Sequence, residues 1–128
     1  YASVAARRAA CAVIPPAHLA FLAGTRMWHC TPDYLFVHAG VRPHMPLKQQ
    51  HAFDCLWIRE DFLEQPHDLP QLVVYGHTPV LLPPYAPCDE PHARRLGLDT
   101  GAVYGGCLTA AVLPAHTFIS VRAGTQAK

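Results

Sequence analysis

The chain has 128 residues, 51% of them hydrophobic and 15% charged, with a formal net charge of +1. That is enough for one modest domain with its own core. Lys and Arg are scattered and no stretch approaches the roughly 20 apolar residues of a bilayer span, which excludes recognition of nucleic acid or an anionic membrane by bulk charge. The five cysteines are at least 19 residues apart, so they do not form the close pairs of a zinc knuckle and read as reduced, mostly buried thiols. The opening YASVAARRAACAV lacks the apolar core and cleavage pattern of a secretory signal, and the chain reads as starting within a longer protein.

In chain order, SVAARRAACAVIPPAHLAFLAG predicts two core-packing helices around Pro15-Pro16. The second covers about Pro16 to Leu22 and is closed by Gly24. Residues 34 to 37, YLFV, are apolar and bounded by TPD and HAG, the profile of a short buried strand. VRPHMP follows as a loop. HAFDCLWIREDFL, from about His51 to Leu63, predicts one helix with Phe53, Leu56, Trp57 and Leu63 near one face. LVVY is a second strand, ending at Gly76-His77. TPVLLPPYAPCDEPHARR is rich in proline and reads as an extended loop. RLGLDTG, CLTAAVL and TFISVR are β-leaning runs whose spacing suits antiparallel hairpins.

Nine histidines are present. His29, His44, His51, His67, His92 and His116 fall in loops or at polar element ends, where a solvated imidazole needs no special role. His38 and His77 differ, because each follows a buried strand directly and has Gly or Ala beside it. Ligand sites in open sheets with helical crossovers collect beyond the carboxyl ends of the strands, and neighbouring parallel strands would bring these two rings together. From local pattern alone, a structural role competes equally with a ligand role. Two imidazoles cannot hold a catalytic metal pair unaided, since such centres need bridging carboxylates. Of the carboxylates, only Asp99 sits at a strand end with glycines close by.

At this point the residues carry a resemblance. FVHAGVRP, LWIREDFL, VVYGHTPV and LDTGAVYGGCLTAAVL, in that order over about residues 34 to 113, resemble the C-terminal half of a bacterial calcineurin-like metallophosphoesterase. They look most like the phosphoprotein phosphatase branch, which includes serine/threonine protein phosphatases and symmetrical diadenosine polyphosphate hydrolases. IPPAHLAFLAG looks like the segment leading into the first block. The GDxHG, GDxxDRG and GNHE blocks of the family's N-terminal half do not occur in these 128 residues.

The resemblance implies an α/β (α+β) fold: the C-terminal portion of a four-layer αββα sandwich, with a mixed sheet and flanking helices. Residues 1–128 would form a single domain lacking its N-terminal metal-binding half, with exposed sheet edges that favour self-association. By resemblance His38 and His77 are metal ligands, and Arg59 grips the substrate phosphate, a task suited to a permanently charged, forked guanidinium. The competing reading of Arg59 is an exposed helical residue pairing with Asp61 or Glu60. Tyr104 matches a tyrosine beside the metals, or is a packed aromatic. Asp99 and Thr100 are expected to shape their loop.

The complete family member uses two divalent ions, commonly manganese, with iron, zinc or magnesium as alternatives, and metal-activated hydroxide attack on phosphate. The implied protein is a cytoplasmic phosphoesterase acting on a phosphorylated protein or another phosphoester. Serine/threonine protein phosphatase is the leading reading and symmetrical diadenosine polyphosphate hydrolase the alternative. This chain alone is expected to be an inactive fragment, with a non-catalytic remnant that binds a partner as the competing class.

Overall fold

A computed structural model describes residues 3–80, 88–90 and 93–124. Five strands form a mixed sheet in the order β1-β2-β3-β5-β4: β1 (Trp28–Cys30), β2 (Tyr34–Val37), β3 (Leu72–Tyr75), β4 (Cys88–Glu90) and β5 (Arg95–Gly97). β2, β3 and β5 run parallel at the centre, while β1 and β4 pair antiparallel at the two edges. A separate antiparallel ribbon, β6 (Cys107–Val112) with β7 (Thr117–Arg122), ends the fold. The predicted strands at 34–37 and 72–75 thus form where apolar runs meet turn residues. The run at 95–101 differs from the hairpin expectation: β5 pairs with β3 and β4, and only β6–β7 is a hairpin of the kind expected. Most of the proline-rich stretch lies outside the described residues, as does His92, and its described part includes β4.

The predicted helix over His51–Leu63 is two helices, α3 (Ala52–Trp57) and α4 (Glu60–Glu64), counting α1 (Val4–Ala12) and α2 (Pro16–Ala23) before them. The chain leaves helical geometry at Ile58 (φ −60°, ψ 144°) and Arg59 (φ −134°, ψ −96°). This break re-aims the second half, so a face computed for one continuous helix fails. Cys55, Ile58 and Phe62 are buried, whereas Phe53 and Trp57 are 72% and 60% exposed.

Strand alternation directs Leu35 and Val37 of β2 and Val73 and Tyr75 of β3 onto that helical layer, forming one core cluster. Gly40 is part of the same fit, because a Cβ there would run into the Phe62 ring, and its φ of 152° is one L side chains rarely adopt. His67 is buried rather than solvated. Its ring stacks on Phe62 at 6.2 Å, and its Nε2 faces the Arg94 carbonyl at 3.1 Å.

Two helices form around Pro15-Pro16 as expected, the second one residue longer than read and capped by Gly24, but neither buries a residue among those described. The expectation of core packing there is corrected. The cysteines are all free, yet Cys55 alone is fully buried, Cys11 is exposed and the other three are partly exposed. No helix among the described residues is long and apolar enough to cross a membrane.

Candidate functional site

Three parallel strands deliver polar side chains at their carboxyl ends: β2 leads to His38, β3 to His77 and β5 to Asp99. In the β2–β3 register Phe36 faces Val74, and the ladder runs on past the strands, with the Gly76 N–H donating to the His38 carbonyl at 2.8 Å. His38 is therefore paired with Gly76, and plain strand alternation would send His77 to the opposite face. His77 instead takes a left-handed conformation, φ 65°. The turn carries its ring back, and the two imidazole centroids lie 5.0 Å apart. The flanking small residue expected to permit this turn is not where the strain falls: His77 itself holds the positive φ, a conformation costly for a residue with a Cβ.

His77 is half-buried, and its Nε2 is shielded from water with no partner in hydrogen-bonding geometry, the Trp57 backbone acting on the ring only weakly. Such an orphaned ring nitrogen is a lone pair or an N–H awaiting something. Burial first, then the charge of Arg59 and the neighbouring His38, lower the His77 pKa from its ordinary value near 6.5. The sign follows directly: the charged form is disfavoured, so the ring stays neutral to a lower pH than a free histidine and keeps a nitrogen available to a cation. Two-dimensional NMR titration of the metal-free chain is expected to place His77 below 6.5; a value at or above it would contradict this environment.

Arg59 immediately precedes α4, and its Nη1 points at the Thr78 Oγ1, 3.4 Å away, immediately beyond His77. Among the described residues it forms no ion pair with Asp61 or Glu60, where the competing reading placed it, and Asp61 is bound by Arg42 at 3.0 Å. Arg42 ties the loop after His38 to both helices. Its Nε and Nη2 donate to the two oxygens of buried Asp54, at 3.1 and 2.6 Å. Those bonds hold the Asp54 carboxyl below its ordinary range. Arg42 and Asp54 were not singled out from the sequence; their signal was the pairing of RP after a strand-end histidine with an acid in the following helix.

Asp99 and Thr100 shape their loop as expected: the Asp99 Oδ1 accepts the Gly101 N–H at 3.0 Å, and the Thr100 hydroxyl lies 2.6 Å from the Cys107 carbonyl. A cleft of about 450 Å³ joins His38, His77 and Asp99 to the apolar side chains Phe36, Leu98 and Leu108. Tyr104 is 69% exposed on its turn, so it is not a packed aromatic, and it does not line the cleft.

The two imidazoles fit a divalent cation by donor type and by the partnerless Nε2. They do not complete its coordination: among the described residues no three His, Cys, Asp or Glu are grouped to hold a metal.

No protein-family model matches the chain. The bis(5'-nucleosyl)-tetraphosphatase PrpE [asymmetrical] of Geobacillus thermodenitrificans (strain NG80-2) is 45% identical over 49 residues, which are 38% of this chain and 18% of that protein. A crystal structure provisionally assigned as a diadenosine tetraphosphatase superposes with a TM-score of 0.72 at 23% identity, covering 92% of this chain and 60% of its own. The chain thus spans under a fifth of the curated relative and about three fifths of the solved one. The fold is that of the solved structure: mixed α/β, with a mixed sheet and flanking helices.

Proposed function

We propose that this chain supplies two metal ligands, His38 and His77, and one phosphate contact, Arg59, to a metal-dependent phosphoesterase that hydrolyses dinucleoside polyphosphates. The observation that carries the proposal is the convergence of the two rings at 5.0 Å, achieved through a left-handed residue and leaving a buried nitrogen partnerless. Strain of this kind persists where the surroundings enforce it, and it clusters at functional sites.

A divalent cation held there would supply Lewis-acid polarisation and a water of lowered pKa. The protein's own contribution is derived from the residues present. His77 offers a neutral, desolvated nitrogen, and β2 and β3 fix the directions of both rings. Arg59 stands beside the His77 turn with its guanidinium toward Thr78, a group able to fork onto phosphate oxygens. The remaining ligands of a working centre would come from polypeptide outside these residues.

Both relatives are named for tetraphosphate hydrolysis, which favours the dinucleotide reading over the protein serine/threonine phosphatase that led from the sequence. The curated relative is of the asymmetrical type, unlike the symmetrical enzymes the sequence suggested.

The test compares diadenosine tetraphosphate, a phosphoserine peptide and p-nitrophenyl phosphate, with and without manganese. The chain alone is expected to turn over none of them appreciably. Once the missing ligands are supplied in the same polypeptide, metal-dependent cleavage of diadenosine tetraphosphate is expected. Robust manganese-dependent hydrolysis by the isolated chain would overturn the half-site account, and preference for the phosphopeptide would overturn the substrate class.

A further inference from the structure

The outward face of α3 holds two aromatic side chains one helical turn apart, Phe53 and Trp57. Both are largely exposed, while the same helix buries Asp54 and Cys55. Trp57 is not a stray surface residue. Its ring meets the His77 ring edge-on, with centroids 5.6 Å apart and planes at 89°. Two residues further on, Arg59 reaches Thr78 beside the same histidine. A planar apolar surface and a forked cation therefore both lie against the turn that carries His77.

We propose that Trp57, flanked by Phe53, is the surface on which a purine base of the substrate stacks while its phosphates lie against Arg59 and the histidine pair. The inference rests on the nucleoside-polyphosphate reading given above and extends it to the group that recognises the nucleoside. A base offers its whole π-face to an indole, and stacking of this kind contributes substantially to binding without demanding hydrogen-bond partners. A phosphorylated peptide carries no obligatory planar group at that distance from its phosphate, so an open tryptophan beside the phosphate grip favours a nucleotide. The arrangement also gives a reason for this side chain to be left uncovered while Asp54 and Cys55 on the same helix are buried.

The chain has two tryptophans, so Trp28→Phe leaves Trp57 as the sole indole reporter. ATP, inorganic tripolyphosphate and a phosphoserine peptide are titrated into that chain and followed by fluorescence and by calorimetry. ATP is expected to quench Trp57 and to bind more tightly than tripolyphosphate. Trp57→Ala, introduced into the natural sequence, should weaken ATP about 5- to 100-fold and leave tripolyphosphate unchanged, with Trp57→Phe retaining most of the ATP affinity. Because the side chain is exposed, the far-ultraviolet circular dichroism of both variants should match the parent.

Equal affinity for ATP and tripolyphosphate, with neither affected by Trp57→Ala, would overturn the stacking role and leave the phosphate grip standing. ATP binding that depends on Trp57 without any tripolyphosphate binding would support stacking and sink the phosphate grip. Stronger quenching by the phosphopeptide than by ATP would overturn the purine assignment.

Discussion

His77→Gly is expected to abolish divalent-cation binding while leaving the fold as stable as before or more so, and His77→Ala to abolish binding at a cost in stability. In ordinary positions the order of the two substitutions is reversed, because glycine gives the unfolded chain more freedom and costs about 0.4–1 kcal/mol relative to alanine. At position 77 the backbone is left-handed, φ 65°, a conformation that costs a residue with a Cβ about 1–2 kcal/mol and glycine almost nothing. Glycine should therefore exceed alanine by up to about 1.6 kcal/mol in a urea titration.

The functional loss is larger. Removing groups that merely orient a metal ligand typically costs about 10–100-fold in affinity or activity, and loss of a ligand itself should exceed that range in a polypeptide carrying the whole centre. A stability gain coupled to loss of binding would mark His77 as a residue held in strain for its chemistry. Alanine more stable than glycine would show that the left-handed turn is not enforced.

Phe62→Ala is expected to destabilise the chain by about 3–5 kcal/mol, a large fraction of a small domain's total. Phe62 is 0% exposed, and its ring is enclosed on several sides. Tyr75 meets it edge-on at 5.1 Å, His67 stacks on it, and the Arg95 guanidinium carbon lies 5.5 Å from its centroid. Arg95 also donates to the Phe62 backbone carbonyl. Truncation would leave a cavity between α4 and the sheet, bordering the Gly40 turn that follows His38. The loss should therefore reach the site as well: broadened or multiple NMR signals for His38 are expected. Chemical denaturation measures the first effect, and a change below about 1 kcal/mol would mean that the site collapses around the smaller side chain without strain.

Legibility in the sequence depended on how local the deciding interaction was. YLFV and LVVY could be read as strands because four apolar residues between turn-forming neighbours have few other stable outcomes, and the histidines at their ends followed from chain order alone. That the two strands are neighbours and parallel was an assumption from the sheet type, and the hydrogen-bonded register bears it out. The face of residues 51–63 could not be read. The break at Ile58 and Arg59 comes with ties from Arg42 to acids on both sides of it, and helical periodicity carries no trace of such ties. Trp57, grouped by helical spacing with Leu56 and Leu63, instead stands exposed beside His77. The left-handed turn was hidden for a related reason: the glycine at 76 suggested where the chain would bend, yet the bend falls one residue later, where ring placement fixes it.

The central claim, that His38 and His77 together address one divalent cation, is tested most directly by paramagnetic broadening. Substoichiometric manganese is added to the chain while the imidazole signals of all nine histidines are followed by NMR. Simultaneous loss of the His38 and His77 signals, ahead of exposed rings such as His44 and His51, is the predicted result. Broadening of only one of the pair, or of both no sooner than the exposed rings, would contradict it.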